Sequence, residues 1–118
     1  MATGPMQPTE ALAVARLRQW CADRIALHHG RTTDYQRAGW QARDTRQADA
    51  RIVRVVDFSR ALASLTGEEQ AALILHYRDR EPEDRIALAL RCSIRKVCYV
   101  IPQARQKLAA RLDALDLL

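Results

Sequence analysis

The stretch Ser93–Leu112, SIRKVCYVIPQARQKLAARL, decides the fold, because it reads as one helix with two unlike faces. At about 100° per residue, Ile94, Val97, Ile101, Ala104, Leu108, Leu112 and, just beyond, Leu115 share one apolar stripe. The other side carries Arg95, Lys96, Tyr99, Gln103 and Gln106. From Arg91 to Leu112 the chain holds Arg91, Arg95, Lys96, Arg105, Lys107 and Arg111 and no acidic residue. A helix that is apolar behind and cationic in front suits a polyanion, although solvated surface helices share the pattern. Its neighbours in sequence have to decide.

Upstream, Leu65–Asp79 reads LTGEEQAALILHYRD, where Thr66 and Glu69 have the S/T-x-x-E spacing of a capping box. A helix is expected to run from there to about Tyr77, burying Leu73 and Tyr77. After a polar break at Arg78–Glu81, Pro82 can open a second helix, because its missing N–H is not needed in a first turn. That helix, Pro82–Arg91, would bury Ile86 and Leu90. Ser93 then caps the basic helix. Two short helices and a tight turn, the second helix basic on its exposed side, predict a helix-turn-helix.

Over Leu65–Leu112, about two fifths of the chain, this pattern resembles the C-terminal promoter-reading region of bacterial sigma factors, region four. The resemblance rests on Leu65, on the Leu73 and Tyr77 pair of the first helix, and on Ile86, Ala87 and Leu90 of the second. It continues through the Ser93 cap to Val97, Ala104, Arg105, Lys107 and Leu108, and needs no gap. It implies a DNA-binding transcription regulator that acts with bacterial RNA polymerase. Arg91, Ser93, Arg95, Lys96, Tyr99 and Gln103 would meet double-stranded DNA, since Arg and Gln side chains read G and A edges in the major groove.

The chain also departs from the family pattern. Arg80 and Arg91 stand where the family has glycine in its loop and turn, so different backbone conformations are expected there, because arginine tolerates φ > 0 poorly. Glu81 replaces a usual hydrophobic residue. Pro102 lies inside the recognition helix, where it removes the bond to the Cys98 carbonyl at a cost of ~3 kcal/mol, so a kink at Cys98–Pro102 is expected.

With 118 residues, a net charge of +5 and only 5% aromatic side chains, the chain fits one small all-α domain of five helices. Its cationic side chains are arginines apart from Lys96 and Lys107, which favours bidentate contact with phosphate or carboxylate. No stretch approaches the ~20 apolar residues of a membrane span, and the first residues show no secretory pattern, so a cytoplasmic protein is expected.

Residues 1–8 read as a flexible N-terminus, and 9–64 as N-terminal helices with a connecting loop leading to the sigma-like unit, 65–118. Thr9 can cap a helix from Glu10 to about His28, with Leu17, Trp20, Cys21, Arg24 and Leu27 on one side and Gly30 as its stop. This helix would pack across the downstream helices or pair with a second copy as a homodimer. Arg31–Arg46 reads as a loop or an irregular short helix that Tyr35 and Trp40 anchor. Gln47–Leu65 forms a strong helix with Ile52, Val55, Val56, Ser59, Leu62 and Leu65 on its buried side. Asp113–Leu118 continues apolar and frays or docks on the first helix.

Cys21, Cys92 and Cys98, even with His28 and His29, lack the short paired spacing of a zinc site, so free thiols, buried or half-buried, are expected, with no metal and no cofactor. Enzyme chemistry finds no nucleophile–base pair and no phosphate-cradling glycine loop. The acidic residues Glu68, Glu69, Asp79, Glu81, Glu83 and Asp84 gather before the basic helix, where they would offset helix N-terminal charge or face a basic partner. The segment before Leu65 is too short and too poor in aromatics for the promoter-melting region of a complete sigma factor. The resemblance therefore points to a small sigma-like regulator or a phage antiterminator. An interaction module that binds RNA polymerase or a sigma factor with little DNA contact, and a purely structural helical oligomer, are the alternatives.

Overall fold

The computed structural model of the chain describes residues 6–34 and 42–118. Among them are five helices and no strand: α1 (Pro8–Asp34), α2 (Ala42–Ala63), α3 (Gly67–Tyr77), α4 (Glu83–Leu90) and α5 (Ile94–Ala114). The all-α, five-helix expectation holds for these residues.

Both N-terminal helices are longer than their sequence signals suggest. The Gln7 N–H donates to Glu10 Oε2 at 3.2 Å, and α1 begins at Pro8. Gly30 does not stop it, since one interior glycine costs only about 1 kcal/mol and the helix continues to Asp34. α2 starts at Ala42 rather than Gln47, so of the expected loop, residues 31–34 belong to α1 and 42–46 to α2. The anchoring roles given to Tyr35 and Trp40 lie outside the described residues.

The core is laid down in two clusters. One gathers Ala13, Leu17 and Trp20 of α1, Phe58, Ala61 and Leu62 of α2, then Leu65, Leu73 of α3, and Ala104, Leu108, Ala109 and Leu112 of α5. The other joins Ala72 of α3, Ile86 and Ala87 of α4, and Val97, Val100 and Ile101 of α5. Tyr77 packs against both. The apolar face of α1 is therefore used inside its own chain, across α2, α3 and α5. The tail docks as well, with Leu115, Leu117 and Leu118 packed on the first cluster.

Pro102 sits where α5 passes from one cluster to the other. The buried residues before it, Val97, Val100 and Ile101, belong to the α3–α4 cluster, and those after it, Ala104, Leu108, Ala109 and Leu112, to the cluster built with α1 and α2. The helix runs through the proline as one element.

Three burial expectations fail for a shared reason. Ile94, Ile52 and Val56 are exposed, whereas Val100, Ala109 and Phe58 are buried. A stripe read from one helix says how wide its apolar face is, but the neighbours choose which edge is covered. Cys98 is exposed too, while Cys21 and Cys92 are half-buried. Burial raises the Cys21 thiol above its ordinary pKa.

The local signals around α3 and α4 read correctly. The Glu69 N–H donates to Thr66 Oγ1 at 3.2 Å and the Thr66 N–H to Glu69 Oε1 at 3.0 Å, closing the capping box. Pro82 takes the N-cap position of α4, one residue earlier than expected. The backbone at Arg80 and Arg91 overturns an expectation. Both are left-handed, with φ of 53° and 55°, the conformation that glycine would supply. At the end of α4 the Arg91 N–H donates to Leu88 O at 3.3 Å and the Cys92 N–H to Ala87 O at 3.0 Å, a Schellman closure with arginine in the glycine position. Asp116, with φ of 58°, repeats it after α5, where the Leu117 N–H donates to Leu112 O at 2.8 Å. The closing hydrogen bonds hold a conformation that costs a non-glycine residue roughly 1–2 kcal/mol.

Candidate nucleic-acid interface

The surface singled out in the sequence is the start of α5 and the turn Arg91–Ser93 before it. Ser93 is extended, with φ −78° and ψ 156°, and its Oγ accepts the Lys96 N–H at 3.1 Å. Its hydroxyl is thus an N-cap, which orients the first turn of α5 rather than reaching outward. Arg91, Arg95 and Tyr99 are exposed. Gln103 is half-buried, and its Nε2 donates to the Tyr99 hydroxyl at 2.9 Å, tying the two side chains across one helical turn.

The cationic residues of α5 divide into two groups that the sequence does not separate. Arg105 turns inward. Its Nε lies 2.9 Å from Glu10 Oε1 on α1, and its Nη1 donates to the Tyr77 hydroxyl at 2.8 Å. Lys107 lies 2.9 Å from Glu69 Oε2. Lys107 together with the Thr66 backbone N–H holds the Glu69 carboxyl below its ordinary pKa, against the opposing effect of burial. These two cations join helices within the chain. Lys96 is intermediate, with its Nζ 3.3 and 3.4 Å from the two oxygens of Glu68 in an exposed pair worth little in water. Arg91, Arg95 and Arg111 make no ion pair among the described residues.

The acidic residues divide in the same way. Glu68 and Glu69 pair with α5, and Asp79 pairs with its neighbour Arg78 at 2.8 Å. Glu83 and Asp84 occupy the first turn of α4, where the helix dipole favours them.

Two apolar side chains are exposed beside this surface, Leu88, to which the sequence reading gave no role, and Ile94, which it placed on the buried stripe. Leu88 on α4 is 79% exposed and Ile94 on α5 is 52% exposed, one on each side of the turn. The signal for Leu88 was present, since Ile86 and Leu90, the pair expected to face inward, are spaced by four residues and the residue midway between them must point away.

Among the described residues no group of three or more His, Cys, Asp or Glu side chains could hold a metal ion, and no helix is long and apolar enough to cross a membrane. No protein-family model, curated protein or solved structure matches this chain.

Proposed function

We propose that α4, the Arg91–Ser93 turn and α5 form a helix-turn-helix that binds double-stranded DNA, in a cytoplasmic transcription regulator acting with bacterial RNA polymerase. The observation that carries this reading is the sorting of charge along α5. Arg105 and Lys107, early in its second half, are engaged within the chain, whereas Arg91 and Arg95, at its start, are exposed and have no ion-pair partner among the described residues; Arg111, also exposed and unpaired there, lies more than four turns further along. Base-contacting side chains of a helix-turn-helix lie in the first turns of its second helix, and Arg91 and Arg95 stand at that end. Arg95, Tyr99 and Gln103 follow one another along one side of α5, with Arg91 ahead of them on the turn; Lys96 joins them when phosphate displaces its weak hold on Glu68.

The resemblance to sigma region four accords with this assignment, and it extends the proposal to a small sigma-like activator or a phage antiterminator. A duplex-binding titration at several salt concentrations tests it, because phosphate contacts give log K a linear fall with log salt. Binding that is absent, or indifferent to salt, would refute it.

A second reading has one observation in its favour. Leu88 and Ile94 expose apolar surface at the turn, which suits a protein partner better than a phosphate backbone. In that reading the unit docks on RNA polymerase or a sigma factor with little DNA contact. Capture of purified polymerase that persists without duplex DNA and is lost in Leu88→Ser would favour it.

A further inference from the structure

The outer face of α2 carries an ordered seam with no partner among the described residues. Arg46, Asp49, Val53, Val56, Arg60 and Ala63 follow steps of three and four residues, the spacing that keeps one line of side chains on one side of a helix pair. All six are exposed, Val53 at 58% and Val56 at 47%. The opposite side of α2 is the packed one, with Phe58, Ala61 and Leu62 in the core, the Ser59 hydroxyl accepting from Trp20 Nε1 at 3.1 Å, and Arg54 paired to Asp23 at 2.9 Å. Ile52 adds a further exposed apolar side chain at the edge of the seam. Two exposed valines in the middle of a helix whose inner face is already satisfied need a different explanation from the core of this chain.

The order of charges along the seam says what fits. Between the outermost positions Arg46 and Ala63, Asp49 precedes the valines by one turn and Arg60 follows them by one turn, so the inner four positions run acidic, apolar, apolar, basic. Laid antiparallel against itself about a two-fold axis, it is self-complementary. Val53 meets Val56 of the second copy, Asp49 meets Arg60, and the axis repeats both contacts. A parallel alignment would set Asp49 against Asp49 and Arg60 against Arg60.

We infer that α2 is a homodimerisation helix, pairing antiparallel with α2 of a second copy of this chain through Val53 and Val56, with Asp49–Arg60 pairs closing both ends. The interface is independent of the α5 surface. It also differs from a dimer through α1, whose apolar face is occupied by its own chain.

Sedimentation velocity of the full chain, from low micromolar to hundreds of micromolar, tests this. The wild type shifts from monomer to dimer with rising concentration. Asp49→Arg alone and Arg60→Asp alone each set like charges against one another at both ends and weaken the dimer about tenfold or more. The double variant Asp49→Arg/Arg60→Asp recovers it. An equimolar mixture of the two single variants forms a heterodimer tighter than either self-dimer, since each chain then meets its opposite. The substitutions are on exposed positions, and circular dichroism of each variant confirms the helical fold before the comparison. A wild type that stays monomeric throughout, or a dimer indifferent to the single variants, or a mixture no tighter than its components, overturns the assignment.

Discussion

Arg105 and Glu10, 95 residues apart in sequence, meet at 2.9 Å with their side chains only 15% and 7% exposed. The pair fastens the start of α1 to the middle of α5, beside the Tyr77 hydroxyl that shares the same guanidinium. It makes the first helix part of the structure that presents the basic surface.

Glu10→Ala is therefore expected to lower stability by about 3 kcal/mol, because it leaves the Arg105 guanidinium nearly buried without its counter-charge. Urea unfolding followed by circular dichroism measures this. Deleting residues 1–30 should abolish cooperative unfolding altogether. The sequence alone suggests the opposite, since Leu73, Tyr77, Ile86, Leu90, Val97 and Ile101 look sufficient for a small core. Leu17 and Trp20, however, cover Leu108 and Leu112, which the truncation would expose to water. A truncated chain that still unfolds cooperatively would show that α4 and α5 need no support from α1.

Glycine at the two left-handed arginines should stabilise the fold. Arg80→Gly and Arg91→Gly each remove steric strain at φ near 55° and are expected to gain about 1 kcal/mol, read as a higher thermal midpoint. Arg91→Gly should at the same time weaken duplex binding if the turn meets phosphate, so stability and affinity move in opposite directions. A lower midpoint in both variants would mean that the arginine side chains contribute more through contacts than their backbones cost.

The two classes of cation on α5 predict two kinds of variant. Arg95→Ala should reduce the slope of log K against log salt by about 0.9 with little change in stability, since its side chain is exposed. Lys107→Ala should leave that slope unchanged and lower stability instead, because Glu69 loses its partner. Fluorescence anisotropy with a labelled duplex and thermal unfolding, run on the same samples, separate them. Equal slope changes in both variants would contradict the sorting of charge on which the proposed DNA contact rests.

His76 supplies a pH dependence. Its Nδ1 is buried with no hydrogen-bond partner among the described residues, and its ring stands edge-on to Tyr77 at 4.6 Å between centroids. Burial holds its pKa below the ordinary 6.5, with Glu83 opposing that shift and Arg105 adding to it. Well above pH 6.5 the imidazole is neutral in folded and unfolded chains alike and stability does not respond. As pH falls below 6.5, the unfolded chain takes up the proton first, so stability declines until the folded pKa is passed. The urea midpoint should fall as the pH drops below about 6.5, and His76→Phe should flatten that region. Asp23 and Glu69, whose carboxyls are held low chiefly by Arg54 and Lys107, lose their contribution only further down, below about pH 4. A wild-type profile that is flat from pH 7 to 5 would remove His76 from the balance.

Much of the local structure was legible because it depends on residues three or four apart. The Thr66–Glu69 capping box, the Ser93 cap and the ends of α3 and α4 follow from near-neighbour hydrogen bonds that any copy of these short sequences can make. The apolar period of α5 was equally visible, and most of its stripe is buried. Arg80 and Arg91 were readable as positions under strain, but whether the backbone would avoid the left-handed region or accept it was not. That depended on the bonds closing each helix end, made by Cys92 to Ala87 after α4 and by Glu81 to Leu75 after α3.

Helix periodicity and capping are local properties of the chain, so the set of helices and the composition of their faces follow from the order of residues alone. Tertiary structure alone decided which charges remain on the surface. Arg95 and Arg105 are chemically alike and ten positions apart on one helix, yet Arg105 meets Glu10 from the far end of the chain while Arg95 faces outward. It also decided which edge of each apolar stripe is covered, burying Phe58 and leaving Val56 outside. A stripe has a direction only when another helix lies against it, and the position of that helix is set by the whole core at once.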